Sequence, residues 1–188
     1  MSTQPQVYLT PEEYLAFERQ AEDKSEYVDG VVYAMSGASF KHNVIVANVV
    51  AELVQQLKGR PCRALPSDIK VRMPDSRKFF YPDVSVVCGE PQFHDERSDV
   101  ILNPTLLVEV LSESTAAFDR GEKFQAYQQL DSLQEYLLIS QDKIFIEQYV
   151  RQERARWTYI ATVGLESPLA LPSIECTLSL KAVYDKTD

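Results

Sequence analysis

Two carboxylates stand where apolar side chains are expected. Glu109 lies inside TLLVEVLS, residues 105–112, a run that otherwise reads as a buried strand, and Asp83 heads the β-branched run in YPDVSVV, residues 81–87. An ionised carboxylate costs several kcal/mol to bury unless it is paired or hydrogen-bonded. If the two runs are neighbouring strands, the carboxylates can face each other. Such a pair is reconciled with burial by a shared proton, a basic partner, or a hard divalent cation bound through oxygen ligands. Strand alternation puts Thr105, Leu107, Glu109 and Leu111 on one face with no basic residue among them, so a basic partner has to come from elsewhere.

Lys123 is the candidate. DRGEKFQAYQQL, residues 119–130, reads as a helix on which Lys123, Tyr127 and Leu130 follow at i, i+4 and i+7, a packed stripe that can return the ammonium toward the sheet. The competing readings are a structural ion pair for Glu109 and a surface i,i+4 pair with Asp119 for Lys123. Glu26, just before a hairpin turn, reads from the pattern alone as an exposed strand carboxylate. His42, at a helix start, is either a site residue or a local polar contact. Asp75, in the turn MPDSRK, and Asp68 read as structural, and His94 as solvated.

The elements that must position these groups follow from local pattern. Thr10 is expected to cap a short helix, with Pro11 at its first position and Glu12 and Glu13 in its first turn. SEYVDGVVYAM reads as a hairpin about Asp29-Gly30. His42 to Lys58 reads as a helix with an apolar stripe at 45, 46, 49, 50, 53, 54 and 57, stopped by Gly59 and Pro61. DIKVRM, DVSVV and TLLVEVLS read as strands, the last at the centre of a sheet covered on both faces. After the helix at 119–130 come strands EYLLIS, KIFIEQYV and RWTYIATV, with turns at Gln141-Asp142 and Gln152-Glu153. The expectation is one domain over residues 1–188, α/β bordering on α+β, with helices packed on a mixed sheet.

Composition narrows the function classes. The 188 residues are 45% hydrophobic and 25% charged, ordinary globular proportions. A net charge of -9 acts against a polyanion partner, although Arg72, Arg77 and Lys78, and Arg151, Arg154 and Arg156, form local clusters. Three widely spaced cysteines, Cys62, Cys88 and Cys176, suggest neither a disulfide framework nor a thiolate zinc site, and no leader or membrane span is expected, so the reading is cytoplasmic and reduced. The motifs of serine-hydrolase elbows, P-loops, dinucleotide folds and zincins are absent.

Pro82-Asp83, Glu109-Val110-Leu111 and Lys123 together resemble the PD-(D/E)XK restriction-endonuclease-like superfamily. The wider pattern, EYVDGVVYAMSG, HNVIVANVVAEL, YPDVSVV, LLVEVLS, DRGEKFQAY and LQEYLLIS, is similar to a bacterial family described as putative restriction endonucleases, from about Tyr8 to Arg156. Leu111 stands where the superfamily normally has its lysine, and the resemblance gives that role to Lys123 on the following helix. It implies a restriction-endonuclease-like core and metal-dependent hydrolysis of DNA, with Asp83, Glu109 and Lys123 catalytic. It also implies Mg²⁺ or Mn²⁺ held by Asp83 and Glu109, with Glu26 as a further ligand and His42 and Tyr127 beside the site. The alternative is an inactive binding or assembly module on the same fold. Expected partners are DNA and a second copy of the chain, and no membrane.

Overall fold

The computed structural model describes residues 8–75, 77–153 and 155–187. Helix α1 (Pro11–Glu18) opens with a capping box: Glu13 N–H donates to Thr10 Oγ1 at 3.2 Å, and Thr10 N–H to Glu13 Oε2 at 2.8 Å. Strands β1 (Ser25–Val28) and β2 (Val31–Ala34) form the expected hairpin. Its two loop residues, Asp29 and Gly30, have φ of 49° and 98°, the left-handed pair that matches the strand twist. A Cβ on Gly30 would also fall 2.8 Å from Tyr8 Cδ1, so glycine serves both conformation and packing there.

Helix α2 (Phe40–Leu57) starts two residues earlier than expected because Ser39 caps it, its Oγ accepting from His42 N–H at 3.0 Å. Ile45, Val49, Leu53 and Leu57 are buried, whereas Val54 is half exposed, so the apolar stripe is narrower than the sequence suggests. Next come β3 (Cys62–Pro66), β4 (Lys70–Arg72), β5 (Lys78–Phe80), β6 (Val84–Cys88), β7 (Val100–Ile101) and β8 (Leu106–Leu111). A helical stretch follows in three pieces: α3 (Ala116–Phe118), a π-helical turn (Asp119–Lys123) and α4 (Phe124–Tyr127). The chain ends with β9 (Glu135–Ser140), β10 (Phe145–Glu153), β11 (Arg156–Val163), β12 (Pro168–Leu171), β13 (Cys176–Ser179) and α5 (Leu180–Val183).

The main sheet has the order β11-β10-β9-β8-β6-β3. Its centre, β8, pairs parallel with β9 and antiparallel with β6, and all six of its residues are buried. A second sheet has the order β2-β1-β5-β4-β7, and β12 and β13 form a hairpin. Strand alternation divides the core. Val108 and Val110 of β8, with Val84 and Val86 of β6, pack under α2 and the C-terminal elements. Leu107 and Leu111 point the other way, into a cluster with Phe80, Tyr127 and Tyr136. Helix α1 closes the second sheet through Tyr14 and Leu15 against Tyr27 and Phe79. The fold is mixed α/β, as the pattern predicts.

The expected pattern lacks β3, β5, β7, β12, β13 and α5. Most of these span two to four residues, too short for alternation to register. Five-residue β3 carries Arg63 and Pro66, and Pro lowers the strand signal except at an edge, which is where β3 lies. Strand β10 also runs through Gln152-Glu153, where a turn was expected.

The expectation of reduced cysteines is corrected at one pair. Antiparallel pairing of β3 with β6 sets Cys62 opposite Cys88, and the two form a disulfide with Cα atoms 3.9 Å apart. Gly89 N–H donates to Pro61 O at 2.9 Å, so the adjacent cysteine pair occupies a non-hydrogen-bonded position, where opposing side chains come closest. With β3 missing from the sequence reading, nothing brought residues 62 and 88 together. The argument from cysteine usage for a reducing compartment goes with it. Denatured but unreduced protein is expected to titrate one thiol per chain, the buried Cys176, and three after reduction. Three thiols before reduction would sink the pairing.

Candidate active site

Glu109 is a β8 residue whose side chain turns with Leu107 and Leu111 into the face opposite α2. The β6–β8 ladder runs Val86 to Leu106 and Val84 to Val108, and Asp83 precedes Val84 at the end of the pair where Glu109 and Val110 follow Val108. Asp83 Oδ2 accepts from Val110 N–H at 2.7 Å and lies 3.1 Å from His42 Nε2, at the start of α2. The strand pairing thus joins two acids that are 26 residues apart in the chain.

The partner of Glu109 is Lys123. Its ammonium is 2.9 Å from Glu109 Oε1, 3.0 Å from Glu26 Oε1 and 3.7 Å from Asp119 Oδ1, and lies 5.4 Å from the centre of the Phe80 ring. Tyr127 O–H donates to the same Glu109 oxygen at 2.9 Å. Lys123 ends the π-helical turn, and the extra residue in such a turn re-aims side chains relative to an α-helix, a feature common at functional sites. Both Lys123 and Asp119 are buried, at 4% and 3% exposure, so the surface-pair reading of these two does not hold.

Six residues singled out in the sequence therefore meet: Glu26, His42, Asp83, Glu109, Lys123 and Tyr127. Asp119 joins them, and sequence reasoning placed it outside the site. The i−4 spacing was visible, but its burial depends on the sheet beneath. Tyr81 was missed altogether: its backbone N–H donates to Glu26 Oε1 at 3.0 Å, which no side-chain pattern announces. Asp68 bonds Lys24 at 2.9 Å, and Asp75 accepts from Arg77 N–H within its turn, as the structural readings expected. His94 is not solvated: it is partly buried, 3.0 Å from Arg72 Nη1 and edge-on to Phe79.

Three carboxyl groups, Glu109, Glu26 and Asp119, surround the Lys123 ammonium, and Asp83 lies near enough to act on Glu109. Burial pushes the Glu109 carboxyl well above the ordinary carboxylate range against the pull of Lys123, and Asp119, Asp83 and Glu26 add to the rise. Burial raises Asp119 likewise, against Lys123. Burial alone would lower the Lys123 pKa, but Glu109, Glu26 and Asp119 outweigh it and raise it, so the ammonium stays charged. Desolvation, then Glu109, holds the Tyr127 phenol well above its usual value. The cluster carries surplus negative charge.

That donor chemistry fits a hard divalent cation. Asp83 and Glu109 lie at the same end of one strand pair, close enough for the Asp83 charge to push the Glu109 carboxyl upward. Among the described residues no three His, Cys, Asp or Glu side chains form a ready cage, since Lys123 Nζ bridges Glu26 and Glu109. The basic clusters are engaged in part by the chain's own groups. Arg77 and Lys78 pair with Asp29, and Arg151 donates to the carbonyls of Leu133, Gln128 and Leu130. Arg154 lies outside the described residues. No described helix is long and apolar enough to cross a membrane.

Comparison with known proteins agrees with this architecture. Two uncharacterized proteins of Synechocystis sp. are each 38% identical to the chain. One, sll1609, aligns over 83% of this chain and 88% of its own length, and the other, slr1290, over 94% and 91%. A crystal structure of a putative nuclease belonging to DUF820 from Anabaena variabilis shares the fold, with a TM-score of 0.77 at 19% identity over 96% of this chain and 99% of that one. Residues 11–181 match the sequence model of Uma2, described as "Putative restriction endonuclease", and the chain belongs to that family, in keeping with a restriction-endonuclease-like core.

Proposed function

We propose that this protein is a divalent-metal-dependent endonuclease that hydrolyses phosphodiester bonds of DNA. The observation that carries the reading is the convergence of Asp83, Glu109 and the buried Lys123 ammonium at one end of the central strand pair. The family description and the nuclease-type structural relative support it. Asp83 and Glu109 would hold Mg²⁺ or Mn²⁺, with Glu26 as an added carboxylate. Such an ion, when bound, polarises a phosphodiester oxygen and lowers the pKa of bound water.

The remaining chemistry belongs to the chain. Lys123 offers a fixed positive charge to a phosphoryl oxygen as negative charge builds there, and stabilisation of this kind is large because the site is water-poor and the charge is held in advance. Tyr127 orients Glu109 through its hydroxyl, and His42 holds Asp83 from α2. Glu26, fixed by the Tyr81 N–H, keeps the ammonium from withdrawing toward Asp119.

One observation favours the second reading, an inactive binding module. Lys123 is already bonded to two carboxylates and Leu111 occupies the usual lysine position, so the cluster could serve as a buried structural ion pair. Incubation of supercoiled plasmid with purified protein, with and without Mn²⁺, separates the two. Nicked and linear product that appears with Mn²⁺ and disappears with EDTA is expected. Absence of product, together with an unfolding midpoint that Mn²⁺ leaves unchanged, favours the inactive module.

A further inference from the structure

Strand β11 is the outer edge of the main sheet, eight residues long and, among the described residues, unpaired on its far side. Its ladder with β10 runs Phe145 to Val163 and Val150 to Thr158, and Gly164 N–H donates to Ile144 O. Even-numbered residues of β11 therefore turn their backbone groups toward β10, and Trp157, Tyr159, Ala161 and Val163 turn theirs outward. Among the described residues only the Val163 carbonyl is engaged, by Ser167 Oγ at 2.7 Å. Tyr159, Ile160, Val163, Leu165 and Ile144 are all at least 36% exposed and gather at this edge.

Exposed edges are normally blunted by shortness, proline, inward charge or a covering element. The opposite edge, β3, is short, ends in Pro66 and is tied to β6 by the disulfide, and the edges of the second sheet, β2 and β7, span four and two residues. Between Arg156 and Val163 no such device is present in β11.

We infer that β11 pairs antiparallel with β11 of a second copy of this chain, about a two-fold axis through Ile160. The strand is complementary to itself in that register. Ile160 meets Ile160 of the partner subunit, Thr158 meets the partner's Thr162, Tyr159 meets the partner's Ala161, and Trp157 meets the partner's Val163. Large residues thus face small or β-branched ones, and the outward-turned residues pair with one another for about eight backbone hydrogen bonds. Charges are also complementary. Arg156, 72% exposed, arrives opposite Gly164 of the partner subunit, beside the turn carrying the partner's Glu166, and no like charges are opposed. An added strand in this position makes one sheet of twelve strands from two of six.

The pairing has a consequence for the site. Odd-numbered residues of β11 lie on the face that carries the π-helical turn: Trp157 packs on Phe124, and Tyr159 contacts Tyr149 and Glu147, which holds Arg120 of that turn at 2.6 Å. A two-fold perpendicular to the sheet keeps both copies of this face on one side. Both Lys123 clusters then open to the same side of the assembly.

Sedimentation velocity over a range of concentrations is expected to show a dimer that Ala161→Pro, which deletes an outward N–H and leaves the β10 ladder intact, converts to monomer with an unchanged far-UV spectrum. Mild oxidation is expected to cross-link Ile160→Cys to a covalent dimer on a non-reducing gel. Thr158→Cys alone should not cross-link, but should do so when mixed with Thr162→Cys. A monomeric wild type, or a dimer that persists while Ile160→Cys fails to cross-link, would overturn the inference. Neither outcome depends on nuclease activity, so failure here is separate from failure of the catalytic reading.

Discussion

Lys123→Ala is expected to lower Mn²⁺-dependent plasmid cleavage by about 100-fold or more while DNA binding changes only a few-fold, the signature of a group that acts on the reacting phosphate. The ammonium is held within 3.0 Å of two carboxylates on separate strands, β1 and β8, so its position is set before any substrate arrives. Lys123→Arg should not restore the rate. A planar guanidinium cannot enter a site that is 4% exposed and floored by Phe80 without displacing Glu26 or Glu109. The fold should survive the alanine substitution, because Glu109 with its raised pKa can take a proton when its partner is lost. Matched cleavage by wild type and Lys123→Ala, at equal purity and Mn²⁺ concentration, would remove Lys123 from the chemistry. Binding itself should be weak without metal and steeply salt-sensitive, given the net charge of -9.

The second large effect concerns Glu109 and pH. A carboxyl whose folded-state pKa lies above its unfolded value binds its proton more tightly in the native state, so the unfolded chain ionises first as pH rises. Stability of the metal-free protein should therefore fall from about pH 4.5 upward until the raised pKa of Glu109 is passed, with Asp119 contributing in the same sense. Glu109→Gln keeps an acceptor for the Tyr127 hydroxyl and removes one of four negative charges, so its unfolding midpoint at pH 8 should equal or exceed that of wild type and vary less with pH. Saturating Mn²⁺ should raise the wild-type midpoint, with about 2.7 kcal/mol of added stability at a hundredfold excess over Kd, and leave the variant unmoved. If instead the variant is destabilised and wild type ignores the metal, Glu109 is a structural ion-pair residue.

Much of this site was legible before any coordinates, for a physical reason. Burial makes an isolated charge costly, so an acid in an apolar run advertises a partner, and Glu109, Asp83 and Lys123 each interrupt such a pattern. The elements that carry them were legible too: the capping box at Thr10, the Asp29-Gly30 turn and the apolar run of β8 are local signals that read off neighbouring residues. The sequence by itself thus determined the central strand, the main helices and the candidates for the site.

What only the tertiary structure decided is register and burial, which are properties of pairs. That Asp83 comes to the end of β8 beside Glu109 depends on the β6–β8 ladder, and a slip of one residue would have turned every β6 side chain to the other face of the sheet. Asp119 entered the sequence reading only as the partner of Lys123 in the competing surface-pair reading, and the π-helical turn and the sheet beneath enclose both. Cys62 and Cys88 looked independent because β3 is too short and too proline-bound to be read as a strand, yet its pairing with β6 makes them neighbours. Local sequence encodes each residue's own preference for helix, strand or water. Contacts across 26 residues of chain exist only once several such preferences have been satisfied together.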